Sequence, residues 1–420
     1  MGKIKFAILG LGNRGTVYAT HLHEHAEDVE ITAIADPRKE RTDLVNKFLQ
    51  LSEDQIYHDA DALLSQPKLA DFLVIATQDA QHKGHAIRAM ELGYDLLLEK
   101  PISNKLSECV EIANTAKRLG RRVYICHVLR YTVFYQQAKR LIDEGFVGKV
   151  MSIEADEKVG YAHYMHSYVR GNWHNQEASS PMILAKCSHD MDIITWLAGQ
   201  PCKALSSFGS LDYFTAENCP EGAADRCADC QLDCPFHADK YYTTHLDTTF
   251  ARVVSPVPTP EDLVERLKTA DYGRCVYKMD NSVVDHQVVS MLLENNITVT
   301  FQMTAFNNVG GRYLRVMGTE GEIWGEFGGD YLLHYRRFGE EEHVMDVKAM
   351  SVDTTGHGGG DARLVTDIVR LLRGDEFDTS SITTIDRSVE SHYMAFAAEA
   401  SRQKEGQLIR LADFKKEIGA

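Results

Sequence analysis

Short apolar runs alternate with longer amphipathic stretches over residues 1–126. Apolar runs predict buried strands at residues 3–10, 29–35, 71–76, 94–99 and 122–126. Residues 80–92 and 106–119 instead carry the apolar period of helices. Because strands separated by helices build βαβ units, this part of the chain predicts a doubly wound parallel sheet.

The pattern changes beyond residue 126. It predicts a helix ending near Gly145, a strand at 149–156, and a helix with apolar residues at 191, 194 and 197. Alternating residues at 283–289, 297–305 and 312–317 predict sheet strands, and a last helix is expected at about 385–404. A chain of 420 residues suits two domains, predicted at 1–126 and 127–420.

A glycine motif lies where the first strand turns into a helix. It reads Gly10-Leu11-Gly12-Asn13-Arg14-Gly15, a G-x-G-x-x-G whose glycines allow a tight turn and close approach of a diphosphate. The N–H groups at the helix start, from Asn13 onward, would receive that diphosphate. The motif predicts a dinucleotide-binding Rossmann domain.

Asp36 ends the second strand, at the spacing expected of an acid that binds an adenosine ribose. A carboxylate accepts hydrogen bonds from a 2′-hydroxyl and repels a 2′-phosphate, so NAD is the expected cofactor. Arg38 close by keeps NADP as an alternative.

Composition narrows the classes of partner. The net charge of −16 disfavours nucleic acid and anionic lipid, and no apolar run is long enough to span a membrane. The first residues enter the predicted strand directly, so a cytoplasmic location is expected. A small molecule is the expected substrate.

The strand at 94–99 ends in Glu99-Lys100-Pro101, at the edge of the sheet where ligands bind. Together with the glycine motif, residues 35–37, and Thr77 through His82, these residues resemble the Gfo/Idh/MocA oxidoreductases, the glucose–fructose oxidoreductase and inositol dehydrogenase family. The resemblance implies that Lys100 contacts substrate and nicotinamide ribose, that Pro101 follows a cis bond, and that Thr77, His82 and Glu99 line the cofactor.

The resemblance also implies an α/β second domain with a large open, mainly antiparallel sheet. That sheet forms one wall of the active site and often an oligomer interface, so a homodimer or homotetramer is expected. The last helix is expected to pack back against the N-terminal domain.

Residues 163–181 are rich in polar aromatic and charged groups that suit a sugar or cyclitol, although a packed loop could use the same residues. The expected substrate contacts are Arg130, His166, Arg170, Trp173, Lys186, His189, Asp190 and, in a glycine loop, His357.

The expected catalytic base is His189, with Lys100 and Lys186 as alternatives. The family often carries an aspartate four residues before this histidine, but Ala185 stands there. A histidine accepts protons near neutral pH, whereas a lysine needs a depressed pKa to do so. Lys100 would then polarise the hydroxyl or share its proton.

Four cysteines cluster in a proposed insertion at 215–245: Cys219, Cys227, Cys230 and Cys234. Their C-x2-C core suits a tetrahedral structural zinc site. An iron–sulfur cluster or free thiols are the alternatives.

The preferred hypothesis is an NAD-dependent oxidoreductase acting on a secondary alcohol of a sugar, glycoside or cyclitol. Two others stay open: a glycosidase that oxidises its substrate transiently with tightly held NAD, and a non-catalytic NAD sensor.

Overall fold

The computed structural model describes residues 2–351 and 355–418. Its first sheet has six parallel strands in the order β3-β2-β1-β4-β5-β6. The strands are β1 (Ile4–Leu9), β2 (Val29–Ala35), β3 (Ile56–Tyr57), β4 (Phe72–Ile75), β5 (Asp95–Leu98) and β6 (Val123–Ile125). This order is that of a dinucleotide-binding Rossmann domain, which confirms the predicted fold class.

Helices cover both faces of this sheet. They are α1 (Asn13–Glu24), α2 (Lys39–Leu49), α3 (Ala60–Leu64), α4 (His82–Glu91) and α5 (Leu106–Leu119). The strands are buried on both sides, which explains their continuous apolar runs. The carboxyl ends of β1, β4 and β5 meet at one edge, where the glycine motif and Lys100 lie.

The second sheet has nine strands in the order β14-β13-β12-β11-β7-β10-β9-β8-β15. They are β7 (Val150–Gly160), β8 (Cys202–Ser210), β9 (His286–Leu293), β10 (Thr298–Asn307), β11 (Gly311–Gly318), β12 (Gly321–Phe327), β13 (Leu332–Arg337), β14 (His343–Asp346) and β15 (Ile409–Arg410). Only β7 and β10 pair in parallel, so the sheet is mainly antiparallel, as the fold class predicts.

The remaining helices are α6 (Val133–Asp143), α7 (Tyr161–Tyr164), α8 (Met182–Ala185), α9 (Ser188–Ala198), α10 (Ala238–Thr244), α11 (Thr249–Val254), α12 (Pro260–Leu267), α13 (Thr355–Gly358), α14 (Gly360–Arg373), α15 (Ile385–Gln403) and α16 (Leu411–Glu417). Helix α15 contacts α5 and β6 of the first domain, and α14 contacts α1. The end of the chain therefore returns to the Rossmann domain. Among the helices of the described ranges, none is long and apolar enough to cross a bilayer.

Residues 211–285 form an insertion between the neighbouring strands β8 and β9. It carries α10, α11 and α12, where Thr259 caps α12 by accepting a hydrogen bond from the N–H of Asp262. The insertion has a small apolar core of its own, made of Cys227, Ala238, Tyr242, Ala251, Val254, Leu263 and Leu267.

Candidate active site

A cleft of about 420 Å³ lies between the two domains. Its walls include residues from the Rossmann domain (Gly12, Asn13, Arg14, Thr77, Glu99, Lys100), from the second domain (His163, His166, Trp173, Lys186, His189, His357) and from the insertion (Thr249, Phe250, Val253, Tyr272). The cleft thus gathers most of the residues predicted from sequence.

The glycine loop has the shape that a diphosphate requires. A Cβ on Gly15 would lie 1.8 Å from the carbonyl oxygen of Gly10, and Gly10 itself has a φ of +88°. Above Gly12 there is room, since the nearest atom to its ideal Cβ is a guanidinium nitrogen of Arg41 at 3.6 Å. Helix α1 starts at Asn13 without a side-chain cap, so its first N–H groups face the cleft. These donors fit the diphosphate of NAD.

Asp36 is held rigidly at the end of β2. Its carboxylate accepts hydrogen bonds from the N–H of Leu11 at 2.7 Å and of Arg38 at 2.9 Å. The Arg41 guanidinium lies 3.6 Å from the same carboxylate. Arg41, which no sequence motif indicated, lies on α2, six residues past the end of β2, and lines the cleft beside Asp36.

A buried ionic network lies beneath the cleft and fixes the backbone of Lys100. Arg14 donates to Glu99 at 2.6 Å and to Asp361 at 2.6 Å, and His357 Nδ1 lies 3.1 Å from Asp361. Glu99 in turn accepts the backbone N–H of Lys100 at 2.8 Å. Burial opposes the ionisation of Glu99, but Arg14 and Lys100 outweigh it and hold the pKa of Glu99 below its usual range.

Lys100 projects into the cleft and donates from Nζ to the carbonyl oxygen of Ala185 at 2.9 Å. Ala185, whose carbonyl oxygen accepts this hydrogen bond, stands at the position where the family often has an aspartate. Burial lowers the pKa of Lys100, and the neighbouring charge of Lys186 lowers it further. The Lys100–Pro101 bond is cis, as the resemblance implied.

Thr77 lines the cleft, while His82 lies behind it. The His82 ring nitrogens are 2.8 Å from the carbonyl oxygen of Pro101 and 3.2 Å from that of Thr77. His82 therefore joins the strand ends of β4 and β5 rather than facing the cleft.

His189, at the start of α9, is only 3% exposed and lines the cleft. Among the described residues, neither of its ring nitrogens has a hydrogen-bond partner. The rings of His127 and His357 lie 5.6 and 5.8 Å away. Burial, with the charge of Lys100, lowers the pKa of His189 well below its usual range, so the imidazole is neutral at pH 7.

Lys186 and Asp190 belong to a second ionic network. Lys186 Nζ lies 3.4 Å from Glu157, and Glu157 also pairs with Arg312 on the adjacent strand β11. Arg312 donates to Asp190 at 2.7 Å. Burial raises the pKa of Asp190 to about 6, against the opposing charge of Arg312. Lys186 lines the cleft, whereas Asp190 is turned towards Arg312.

Two predicted substrate contacts, Arg130 and Arg170, lie elsewhere. Arg130 makes two hydrogen bonds of 2.6 Å to Asp192 in a buried ion pair. Arg170 donates to the carbonyl oxygens of Arg274 at 2.7 Å and Phe236 at 2.8 Å. Both guanidinium groups are paired with buried acceptors and neither residue lines the cleft, so the structure does not support the expectation that they bind substrate.

Trp173 and His166, which both line the cleft, are held by polar contacts. Trp173 Nε1 donates to Asp79 at 3.1 Å, and Ser180 donates to the same carboxylate at 2.7 Å. His166 Nδ1 lies 2.6 Å from the hydroxyl of Tyr242. Asp79 lies within the motif from Thr77 through His82 but was assigned no role, and Phe250 and Tyr272 were missed because the sequence carries no motif around them.

The predicted zinc site is not supported. Within residues 2–351 and 355–418, no group of three or more His, Cys, Asp or Glu side chains is arranged to hold a metal ion. All nine cysteines, including Cys219, are free thiols. Cys227, Cys230 and Cys234 line a small cavity together with Cys275, and Arg170 lies 3.4 Å from the sulfur of Cys227.

Family models match both domains of the chain. Residues 4–127 match the oxidoreductase family with an NAD-binding Rossmann fold, and residues 135–324 match the GFO/IDH/MocA C-terminal domain. The chain belongs to the Gfo/Idh/MocA oxidoreductase family. It is therefore an NAD-binding protein of an enzyme family that includes dehydrogenases.

Relatives within the Gfo/Idh/MocA family differ in the length they share with this chain. A putative oxidoreductase, YteT of Bacillus subtilis, is 20% identical over 81% of this chain and 82% of its own length. The scyllo-inositol 2-dehydrogenase (NAD(+)) of B. subtilis is 27% identical over 50% of this chain and 58% of its own length. The 2,7-anhydro-N-acetylneuraminate hydratase of Escherichia coli is 26% identical over 49% and 52%, respectively.

Solved structures of similar fold extend over nearly the whole chain. An Agrobacterium radiobacter oxidoreductase in complex with NAD+, L-tartaric acid and magnesium has a TM-score of 0.69 and 15% identity, over 98% of this chain and 99% of its own. The WlbA dehydrogenase of Bordetella pertussis in complex with NADH and UDP-GlcNAcA has a TM-score of 0.68 and 14% identity, over 97% and 99%. At these identities the likeness shows a shared fold.

Proposed function

We propose that the protein oxidises a secondary alcohol of a sugar, glycoside or cyclitol with NAD. The observation that carries the proposal is His189, a buried imidazole with free ring nitrogens in the wall that also holds Lys100. A neutral base beside a lysine is what removal of a hydroxyl proton requires.

NAD, when bound, accepts or returns a hydride at its nicotinamide ring. The protein's part is to hold the alcohol and to move its proton. His189 takes the hydroxyl proton, because among the described residues neither of its ring nitrogens has another hydrogen-bond partner. Lys100 uses one N–H on Ala185 and directs the others towards the oxygen of the alcohol. Lys186, paired with Glu157, adds a cation at the same wall.

The substrate class follows from the rest of the cleft and from the relatives. His163 and Trp173 supply aromatic faces with polar edges, which suit the ring of a polyol. A relative named as an inositol dehydrogenase and a neighbour bound to a nucleotide sugar support this class. Asp36 supports NAD over NADP. The open face of the nine-stranded sheet is the proposed surface for assembly into a homo-oligomer.

The test measures NADH formation with a panel of cyclitols, sugars and glycosides. Lys100→Met and His189→Asn should each lower kcat by about 10²- to 10⁴-fold, the usual share of acid–base catalysis. Lys105→Met is the matched control, because Lys105 is exposed and pairs only with Glu108 outside the cleft. Full turnover by either site variant would refute the assignment.

A second candidate is a redox-neutral reaction, in which NAD oxidises the substrate transiently and then reduces it again. The hydratase among the relatives favours it, as does the covering of the cleft by the insertion. This candidate predicts release of the aglycone from a chromogenic glycoside with no net NADH. Tight NAD binding without turnover of any polyol would instead support a sensor.

A further inference from the structure

The insertion reaches across to the cofactor side of the cleft. Phe250 of α11, with Thr249 and Val253, forms part of the cleft wall, and so does Tyr272 just after α12. Arg266 of α12 lies 3.8 Å from Glu40 on α2 of the Rossmann domain. The insertion therefore contacts the Rossmann domain at α2 as well as lining the cleft.

Three aromatic rings in this region pack against one another. The His166 ring lies 4.6 Å from that of Tyr272, at an angle of 14°, and 4.7 Å from that of Phe250, at 30°. The hydrogen bond between His166 and Tyr242 fixes the middle ring. We call Phe250, His166 and Tyr272 the aromatic stack; its rings are rigid surfaces along the cleft.

The aromatic stack lies along the part of the cleft that the cofactor would occupy. Tyr272 is near enough to Arg38 and Arg41 for their charges to oppose the rise in its pKa that burial causes. Those arginines flank Asp36, so Tyr272 marks the adenosine end. Gly12 lines the same cleft, so the dinucleotide would lie between the glycine loop and the stack.

We propose that Tyr272 and Phe250 cover bound NAD and keep it on the protein from one turnover to the next. A plain Rossmann edge leaves the dinucleotide open to solvent on one side, whereas here aromatic faces of the insertion close that side. The inference rests on the proposed use of NAD and does not depend on which alcohol is oxidised.

The test is the rate at which the full-length protein releases cofactor. The protein is loaded with NADH, desalted and mixed with excess NAD+, and the fluorescence of bound NADH is followed. Stacking of a base on an aromatic ring is strong enough that Tyr272→Leu should release NADH about ten-fold faster than the wild type. Tyr272→Phe keeps the ring and should release it at nearly the wild-type rate.

Tyr241→Leu is the matched control. Tyr241 belongs to the same insertion and stacks on His245 at 4.5 Å, but it is not part of the cleft wall. Its substitution should leave the release rate unchanged. If Tyr272→Leu does not fold, as judged by thermal unfolding, Phe250→Leu is measured in its place with the same expected result.

Equal release rates for the wild type and the leucine variants would overturn the proposal. So would equal acceleration by Tyr241→Leu, because that would indicate general loosening of the insertion. No sugar is present in this assay. If the wild type oxidises polyols but releases NADH quickly, only the proposal that Tyr272 and Phe250 cover the cofactor is overturned. If it releases NADH slowly but oxidises no polyol, only the proposed reaction is overturned.

Discussion

The ion pair between Arg130 and Asp192 positions the helix that carries His189. Their side chains are 5% and 1% exposed, and two hydrogen bonds of 2.6 Å join them. The guanidinium holds the pKa of Asp192 below its usual value despite burial. Arg130→Met leaves that carboxylate buried without its partner, which should lower the free energy of unfolding by about 3–5 kcal/mol.

Urea denaturation at neutral pH measures this loss. The double variant Arg130→Met/Asp192→Leu removes both charges and should recover most of the stability, since apolar pairs replace buried ion pairs at little cost. If Arg130 instead bound substrate, the single variant would raise KM and leave stability unchanged. That result, or a double variant as unstable as the single one, would refute the reasoning.

Three further predictions concern other parts of the molecule. Burial lowers the pKa of His127 from 6.5 to about 4, so the unfolded state takes up the proton at a higher pH than the folded state does. The free energy of unfolding should therefore fall by roughly 3 kcal/mol as the pH drops from 6.5 to 4. Urea titrations at several pH values should show a weaker pH dependence of stability in His127→Gln. Asp36→Ser should weaken NAD binding about ten-fold and reduce the ratio of NAD affinity to NADP affinity, both measured by fluorescence titration. An unchanged ratio would contradict the role of Asp36. Trp173→Phe, which removes the hydrogen bond to Asp79, should raise KM for the polyol about two- to ten-fold with kcat nearly unchanged.

Local sequence patterns predicted the helices and strands that are followed by a neighbouring element of the same sheet unit. The predicted helix at 106–119 has the observed bounds of α5. Five of the six strands of the parallel sheet lie within a few residues of their predicted positions, whereas β3 was missed. Strand β8 was missed, as were β12 to β15 and the short helices α10 and α11. Some of those strands expose apolar residues, such as Phe208 of β8 and Val344 of β14, so apolar and polar residues do not alternate regularly along them.

The site shows the same division. The glycine loop, Asp36 and Lys100 could be predicted because one short stretch of chain builds each of them. The pairing of Arg14 with Asp361 joins residues from opposite ends of the chain, and no local pattern indicates it. Arg130 resembled a ligand-binding arginine in sequence, because only the fold brings Asp192 to it.

The most direct test of the central claim is a single-turnover experiment in the cleft. The purified protein, loaded with NAD, is mixed in turn with cyclitols, sugars and glycosides deuterated at their secondary carbons, and the cofactor is analysed by mass spectrometry. We expect deuterium on the reduced nicotinamide for at least one polyol, and its loss in His189→Asn but not in Lys105→Met. Transfer that is unaffected by His189→Asn, or absent with every polyol while NAD is bound, would refute the proposed function.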